Sequence, residues 1–411
     1  MLTVTPEAVA AFSVLNAKAV RTRAHQLYAC ALSDELRHFR IDLSRLDSAA
    51  DLVLAVTREA YPSLQVPFHS RWRHFVRHGE DRWAALAATM PLQDNAARAR
   101  AAFDLAVVSV LLDAGAGSHW QYRDATGELI GRSEGLGIAS LDMFAAGAFS
   151  ATPKDPFRAD ALSRLDNEVL YRGFQISESN PLIGFEGRAD LLRRLGMTVA
   201  AKPEIFGTRD APRPGGLFDH LVALAEDGRI EAATIFSELL RHLGPIWPSP
   251  LTLGGIPLGD CWRHPSVKAT DVTNELVPLH KLSQWLAYSL IEPLQDFGLS
   301  VTAIDGLTGL AEYRNGGLFI DTGVLSFLDP AEQGREHDIA STLVVEWRAL
   351  TVALLDEIAV RVRARLQMDA DSLPLAKVLE GGTWAAGRWL AKQRRPDAAP
   401  PIRVVSDGTV L

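Results

Sequence analysis

Apolar residues recur along most of this chain at the spacing of an α-helix, whereas alternating strand patterns are few and short. The clearest pattern lies between Pro278, which suits the first turn of a helix, and Gly298, which suits its end. The apolar positions of this stretch form one stripe, made of Leu279, Leu282, Leu286, Leu290, Ile291 and Leu294. The spacing predicts a helix over 278–298, and the class of the whole chain is predicted to be mainly α.

The same pattern predicts further helices and one hairpin. A second long amphipathic helix is predicted over 338–366. Shorter helices are predicted over 34–40, 95–112, 160–171, 188–195, 217–225 and 230–243. The glycine-rich residues 115–147 predict a hairpin and hence a few short strands. We expect one compact unit with an N-terminal helical region that includes this hairpin (1–150), a helical core (151–391) and a C-terminal tail (392–411).

Charge and cysteine content exclude several classes of protein. The 411 residues include 42 Lys and Arg against 50 Asp and Glu, a formal net charge of -8, so the positive field that binds a nucleic-acid polymer is absent. Cys30 and Cys261 are the only cysteines, which excludes a disulfide framework and a four-cysteine zinc site. Residues 1–18 have no leader pattern, and no run of about 18 apolar residues follows. We therefore expect a cytoplasmic protein with no membrane partner.

One face of the predicted 278–298 helix carries polar and aromatic groups beside its apolar stripe. These groups are Lys281, Gln284, Trp285 and Tyr288, at spacings of three, four and seven residues. Lys281 can be a cation that binds a substrate near an apolar wall, where its charge is poorly screened. It can also be a lysine whose stem packs on the helix while its charge reaches solvent. The spacing leaves both interpretations open.

A glycine-studded run after this helix holds the acidic candidates. Glu312 lies in the sequence AEYRN, which glycines flank on both sides, and a carboxylate on such a turn can stabilise developing positive charge or orient water. A structural ion pair with Arg314 or Lys281 is the alternative. The residues predicted to contact substrate beside Glu312 are Asp305, Tyr313 and Arg314. Asp305 and Asp321 are also typical of turns and helix caps, so their roles stay open.

The glycine-rich stretch supplies a second set of candidates. Its aromatic and basic positions are His119, Trp120, Tyr122 and Arg123. Such a group can stack a planar base and bind its edge or a phosphate, and a buried aromatic corner of a hairpin explains the same residues. Cys261 and His264 lack a second pair of ligands, so a zinc site is rejected there. Neither a P-loop nor a dinucleotide fingerprint is present, and we expect no metal and no organic cofactor.

Four stretches of the sequence resemble the uracil catabolism protein 4 family. They read VLLDAGAGSHW (110–120), SEGLGIASLD (133–142), GLTGLAEYRNGG (306–317) and LEGGTWAAGR (379–388). The resemblance covers nearly the whole chain. It implies a role in a pyrimidine-degradation route that passes through a ribosylurea-type intermediate.

A more distant resemblance connects the order of these motifs with the queuosine salvage family, whose members remove the base from a nucleoside 5′-monophosphate. It rests on residues 112–120, 281–284 and 311–314. The resemblance implies a helical core of the DNA-glycosylase, helix-hairpin-helix type and places the catalytic carboxylate at Glu312. This chain has glutamate where that family has aspartate. It also has Asn315-Gly316-Gly317 where that family has Leu-Pro-Gln, which suits a smaller leaving group.

These observations lead to one functional hypothesis, the hydrolysis of the N-glycosidic bond of a ribosylurea or its 5′-phosphate with release of urea. Glu312 would stabilise the positive charge that develops on the sugar. Lys281 would bind a phosphate or sugar oxygen and keep Glu312 ionised, because an adjacent cation lowers the pKa of a carboxylate. The predicted substrate-binding residues are Asp113, His119, Trp120, Arg123, Gln284, Asp305, Tyr313 and Arg314.

Two other functions are consistent with the sequence. One is ring opening or deamination of a pyrimidine-derived ureide, which usually requires a metal-bound water or a reactive thiol. The other is a non-catalytic helical scaffold for enzymes of the same pathway. The number of chains in the assembly stays open.

Overall fold

The computed structural model describes residues 5–91, 94–117, 119–152, 154–207, 211–247 and 249–405. Its helices are α1 (Pro6–Val14), α2 (Ala17–Leu32), α3 (Leu46–Ala60), α4 (Arg82–Thr89), α5 (Asn95–Leu111), α6 (Arg132–Ala145), α7 (Asn167–Gly173), α8 (Phe185–Ala200), α9 (Pro203–Phe206), α10 (Gly216–Leu224), α11 (Ala232–Leu243), α12 (Lys281–Phe297), α13 (Tyr313–Asp321), α14 (Thr342–Leu366), α15 (Leu375–Val378) and α16 (Trp384–Arg394). The predicted mainly α class is confirmed.

The strands are short. They are β1 (Phe39–Ile41), β2 (Val76–Arg77), β3 (Glu80–Asp81), β4 (Gln121–Arg123), β5 (Leu129–Gly131), β6 (Arg229–Glu231), β7 (Thr252–Leu253), β8 (Ile256–Pro257), β9 (Cys261–Arg263), β10 (Leu276–Pro278), β11 (Ser300–Thr302), β12 (Leu325–Phe327), β13 (Glu336–His337) and β14 (Arg403–Val404). They form the antiparallel pairs β1–β12, β2–β3, β4–β5, β7–β8 and β9–β10 and the parallel pairs β6–β11 and β13–β14.

Helix α14 illustrates why the long helices form. The Ser341 side chain accepts a hydrogen bond from the Val344 N–H and caps the first turn. The helix ends at Gln367, whose φ of 55° is left-handed and whose N–H donates to the carbonyls of Arg363 and Ala364. Between these ends nearly every residue up to Leu355 is buried. A helix buried on several sides is stabilised mainly by packing.

The chain divides into two compact units. The first consists of Met1–His69, Ser249–Gln284 and Ala303–Val405, and the second includes Ser70–Pro248 and Trp285–Thr302. In the first unit α14 packs against α2, α3 and α13, and α13 packs against α16. In the second unit α5 packs against α6, α8 and α10. These units interleave along the chain, whereas the sequence suggested a linear division at residues 150 and 391, which stays a prediction.

The two long predicted helices are confirmed with one correction. The predicted helix over 278–298 is α12, but Pro278 does not begin it. Pro278 is the last residue of β10 and pairs with Cys261 of β9. The chain then turns at His280, whose φ of 45° is left-handed, and α12 begins at Lys281. The predicted helix over 338–366 is α14, which begins at Thr342.

The shorter predictions have mixed outcomes. The helix predicted over 34–40 is wrong, because Phe39–Ile41 pairs as strand β1 with Leu325–Phe327. The predicted hairpin is confirmed as β4 and β5. The DNA-glycosylase type of the helical core stays a prediction. The part of the predicted tail beyond residue 405 lies outside the described residues.

Candidate functional site

The start of α12 is fixed by Asp260 of the first unit. The main-chain N–H groups of Leu279 and His280 donate to the Asp260 carbonyl over 2.9 and 3.1 Å. The Lys281 N–H donates to Oδ2 of the same residue over 2.9 Å. These bonds hold the left-handed turn at His280, a conformation that is strained for any residue except glycine and small polar side chains. Asp260 therefore sets the position from which the Lys281 side chain leaves the helix.

Asp260 forms a buried ion pair with Arg348 of α14. Nη1 and Nη2 of Arg348 each donate to one Asp260 oxygen over 2.8 Å, and the Trp262 indole N–H donates to Oδ1 over 2.7 Å. Burial alone raises the pKa of Asp260, but the Arg348 charge and these hydrogen bonds outweigh it and lower that pKa to about 2. Both groups are therefore charged, and each satisfies the other.

The same arginine connects this pair with the residue before Glu312. Nε of Arg348 donates to the Ala311 carbonyl over 3.0 Å. Since Arg348 also binds Asp260, one guanidinium positions the first residue of α12 and the turn that carries Glu312. A bidentate guanidinium has a fixed planar geometry, so it is well suited to such positioning.

Glu312 caps the N-terminus of α13 with its side chain. Its Oε2 accepts from the Arg314 N–H and its Oε1 from the Asn315 N–H, both over 2.6 Å. The carboxyl group is buried, and burial raises its pKa, although the two N–H groups, Lys281 and the Arg314 guanidinium act in the opposite direction. Lys281 thus has the expected influence on Glu312. Burial has the larger effect on this pKa, and the predicted role of Lys281 in keeping Glu312 ionised stays a prediction.

Several buried polar atoms of the first unit have no hydrogen-bond partner among the residues that the structure describes. They are Nε2 of Gln284, Nε1 of Trp347 and both side-chain amide atoms of Asn315. Gln284 is fully buried, and Thr308 donates to its Oε1 over 3.3 Å. Its amino group is therefore the part of the amide that has no partner among the described residues. Unsatisfied buried donors and acceptors are costly in a native protein and are a signal of a missing ligand or water.

One glycine of the run is required by close packing. A Cβ atom on Gly316 would come within 2.6 Å of the Trp347 indole. This glycine therefore lets α13 approach α14 closely, next to the cap residue Glu312. The glycine-rich sequence predicted a tight turn, but at this position the glycine allows close contact between two helices.

The other predicted residues of the first unit have mainly structural partners. Nη1 of Arg314 donates to the Ala398 carbonyl over 2.9 Å, and its guanidinium lies 5.3 Å from the centre of the Tyr313 ring. Asp305 accepts from Nη2 of Arg363 over 2.6 Å and from the Leu375 N–H over 2.5 Å. Asp305 is therefore engaged by two groups of the fold, and its predicted role in substrate binding stays a prediction.

The remaining four predicted residues lie in the second unit. Asp113 accepts from Nη1 of Arg71 over 2.9 Å and also from the Ser133 hydroxyl. Trp120 is buried, and its indole N–H donates to the Phe174 carbonyl over 2.9 Å. This contact fits the buried aromatic corner that was one of the two interpretations. His119 and Arg123 are exposed.

Sequence reasoning missed the residues that hold Glu312 and Lys281 in place, namely Asp260 and Arg348, and it missed the amide of Asn315. One signal was available. Arg348 lies among the apolar positions of α14, where a guanidinium requires a buried carboxylate partner. The rejected zinc pair has other partners, because Nε2 of His264 contacts Oε2 of Glu346 over 3.3 Å. Burial raises the pKa of the Cys261 thiol.

Comparisons with known proteins extend the picture. A model of the family described as "Protein of unknown function (DUF1688)" matches residues 13–411. The chain is 39% identical to "Protein urg3" of Schizosaccharomyces pombe over 97% of this chain and 98% of that protein. It is 36% identical to "Uracil catabolism protein 4" of Lachancea kluyveri over 91% of this chain and 92% of that protein. None of the helices in the described ranges has the length and apolarity that a membrane span requires.

Proposed function

This chain belongs to the DUF1688 family, and from that premise we propose that it is an enzyme of uracil catabolism that hydrolyses the N-glycosidic bond of a ribosylurea-type intermediate. The pathway in this proposal is the one that its relative from Lachancea kluyveri, Uracil catabolism protein 4, is named for. In this reaction water adds its oxygen to C1′ of the ribose, and its proton goes to the leaving nitrogen. The products are urea and ribose, or ribose 5-phosphate when the substrate is phosphorylated.

The observation that carries this proposal is the buried carboxylate of Glu312, which two main-chain N–H groups bind and whose ionised form the positive charge of Lys281 favours. Breaking a ribosyl C–N bond builds positive charge on the sugar ring. A preorganised carboxylate stabilises this charge and can accept a proton from the attacking water. Two main-chain N–H groups fix the carboxylate, so little reorganisation is needed when the charge develops.

Lys281 and the unsatisfied amides supply the binding groups of the proposal. Lys281 would contact a phosphate or sugar oxygen, and the bond from its main-chain N–H to Asp260 keeps its helix turn in place. No described residue pairs with the amino group of Gln284, which is a donor, or with the amide of Asn315, which offers both a donor and an acceptor. A ribosylurea carries hydroxyl, carbonyl and amino groups, which can satisfy such donors and acceptors.

The test is an assay of the purified protein with ribosylurea 5′-phosphate, ribosylurea and uridine monophosphate, in which urea, uracil and ribose species are measured. We expect urea from one of the two ribosylureas. Glu312→Gln should lower the rate by about 100- to 1,000-fold, since it removes the charge but keeps the size of the side chain.

Glu346→Gln is the matched control. Glu346 is a second buried glutamate of the first unit, and it too accepts main-chain hydrogen bonds, from His38 and Phe39. This variant should retain activity. If all three substrates stay intact, the glycosidase proposal is wrong. Equal loss in the two variants would show that the effect comes from the fold and would remove the chemical role of Glu312.

A further inference from the structure

Two histidines and one glutamate of the second unit converge on one point. His220 lies on α10, and Glu238 and His242 lie one turn apart on α11. Nε2 of His220 is 2.7 Å from Oε2 of Glu238, and Nε2 of His242 is 3.0 Å from the same oxygen. The three atoms all lie within 4.8 Å of one another. We propose that these three side chains form a binding site for a divalent transition-metal ion of the zinc type, independent of the reaction proposed above.

The distances fit a metal site after a small adjustment. Tetrahedral zinc has bonds of about 2.0–2.1 Å to nitrogen and oxygen, which places its ligand atoms about 3.3–3.5 Å apart. The two contacts to Oε2 of Glu238 are shorter than this. Each must lengthen by roughly half an ångström when a metal is bound. On binding, the metal replaces the protons that now join the rings to the carboxylate, and each ring presents an unprotonated Nε2.

The rings are oriented for shared coordination. Their planes are nearly perpendicular, at 84° with centroids 5.1 Å apart, so the two nitrogens approach the carboxylate from different directions. The Phe206 ring packs edge-on against His242, and Nζ of Lys202 donates to the His242 carbonyl over 2.8 Å. The side chains of His220 and His242 are 18% and 14% exposed, so solvent reaches the site and water can be the fourth ligand.

The ligand set itself suits a divalent cation, because Glu238 supplies a carboxylate oxygen beside the two imidazole nitrogens. Two basic groups oppose it: Nε of Arg241 lies 3.7 Å from Oε1 of Glu238, and Nζ of Lys202 donates to the His242 carbonyl. The Arg241 side chain is 58% exposed and can turn into solvent. Two imidazoles and one carboxylate suit zinc and its neighbours, whereas magnesium and calcium prefer ligand sets made of oxygen.

The test uses the full chain after treatment with a chelator. Calorimetric titration with zinc chloride should show one tight site per chain, and His242→Ala should weaken binding by at least about 100-fold, since it removes a direct ligand. His78→Ala is the control. It deletes another histidine–glutamate contact of the same unit, Nε2 of His78 to Oε2 of Glu128 at 3.0 Å, and should leave zinc affinity unchanged.

A second variant keeps the proposal testable if His242→Ala does not fold. His242→Cys retains a zinc ligand. Its cobalt complex should therefore gain a thiolate-to-metal charge-transfer band that the parent complex lacks. Absence of saturable binding to the parent chain would overturn the proposal. Binding that survives His242→Ala, or a cobalt spectrum that His242→Cys does not change, would place the ion elsewhere and overturn it too.

Discussion

Glu312 of the first unit and Glu238 of the second are both buried, but they are held by different groups. Main-chain N–H groups of α13 hold Glu312, and burial raises its pKa. The side chains of His242 and His220 hold Glu238, and their hydrogen bonds lower its pKa to about 2 despite burial. The same type of residue therefore has opposite shifts, because burial dominates at Glu312 and the histidine hydrogen bonds dominate at Glu238.

This difference suits the two glutamates to different chemistry. The N–H groups that bind Glu312 belong to the first turn of a helix and cannot leave without unwinding it, so the carboxylate has one fixed position. An imidazole, by contrast, rotates about its own side-chain bonds and can exchange a carboxylate contact for a metal ion. A fixed carboxylate suits the stabilisation of a transition state, and an adaptable cluster suits coordination.

The largest expected effect on stability comes from removal of Arg348, which binds both Asp260 and the carbonyl of the residue before Glu312. Arg348→Met leaves the Asp260 carboxylate buried without its countercharge, and we expect the free energy of unfolding to fall by about 3–5 kcal/mol. Urea unfolding measures this. The control is Arg241→Met. Arg241 lies beside Glu238, and because the Arg241 side chain is exposed, its removal should change the free energy of unfolding by no more than about 0.5 kcal/mol. Similar losses in the two variants would contradict the contrast between a fixed and an adaptable site.

Acid should destabilise the region around Glu312 through His280. Burial lowers the pKa of His280 from 6.5 to about 4, so between these values the unfolded chain binds a proton that the folded ring does not. Stability is therefore complete above pH 6.5 and is lost as the pH falls to about 4, by roughly 2–3 kcal/mol.

His280→Asn tests this pH dependence. Asparagine tolerates the left-handed φ of 45° and does not titrate in this range. Urea unfolding of this variant should lose the slope between pH 6.5 and 4. Glu238→Gln should keep that slope, since the lowered pKa of Glu238 affects stability only as the pH falls from 4.5 towards 2. If His280→Asn keeps the same change of stability with pH, another titratable group causes that change.

Sequence patterns predicted the parts of the molecule that depend on local spacing. The apolar stripe of α12 was sufficient to find that helix and the face that carries Lys281. Its first residue was predicted wrongly, because Pro278 is held in β10 by pairing with Cys261. The helix predicted over 34–40 failed for the same reason, since β1 pairs with residues almost 290 positions later. A pairing partner so distant leaves no trace in a local window.

The candidate site shows the same limit. Glu312 was singled out as a candidate because it lies within a glycine-rich run, but Asp260 and Arg348, which position its turn, were not, since they are 88 residues apart. In the second unit Glu238 and His242 have helical spacing that can be read directly. His220 joins them only because α10 brings it there from 18 residues before Glu238. Side chains that are close together in the sequence can thus be predicted to lie together. The distant partners that set the pKa and position of a side chain can be identified only from the fold.

The next effect is a shift in the pH dependence of the proposed reaction. If ionised Glu312 is the active form, kcat/KM falls as the pH decreases through its raised pKa, so the acidic limb lies above 4.5. Lys281 lowers this pKa, so Lys281→Met should move the limb to higher pH. Lys281→Arg retains a positive charge and should leave the limb near its original position. A limb that does not respond to Lys281→Met would contradict the coupling between these two residues.

The smallest expected effects on stability come from two glutamine side chains, Gln284 and Gln175, whose amides differ in their hydrogen-bond partners. Gln284→Met removes an amino group that has no protein partner among the described residues, so stability should stay unchanged or rise by up to about 1 kcal/mol. The Thr308 hydroxyl loses Oε1 of Gln284 but retains the Gly309 carbonyl at 3.2 Å. In the second unit Gln175→Met removes an amide that both donates to and accepts from the Arg123 main chain.

The two glutamine substitutions should therefore have different effects on stability. Gln175→Met is expected to lose about 1 kcal/mol of stability, because two satisfied hydrogen bonds disappear. Gln284→Met should instead raise KM for the ribosyl substrate while the protein stays as stable as the parent. An amino group that donates to no described residue is expected of a binding group, because a bound ligand can accept its hydrogen bond. If Gln284→Met destabilises the chain with KM unchanged, its amide serves the fold and not the substrate.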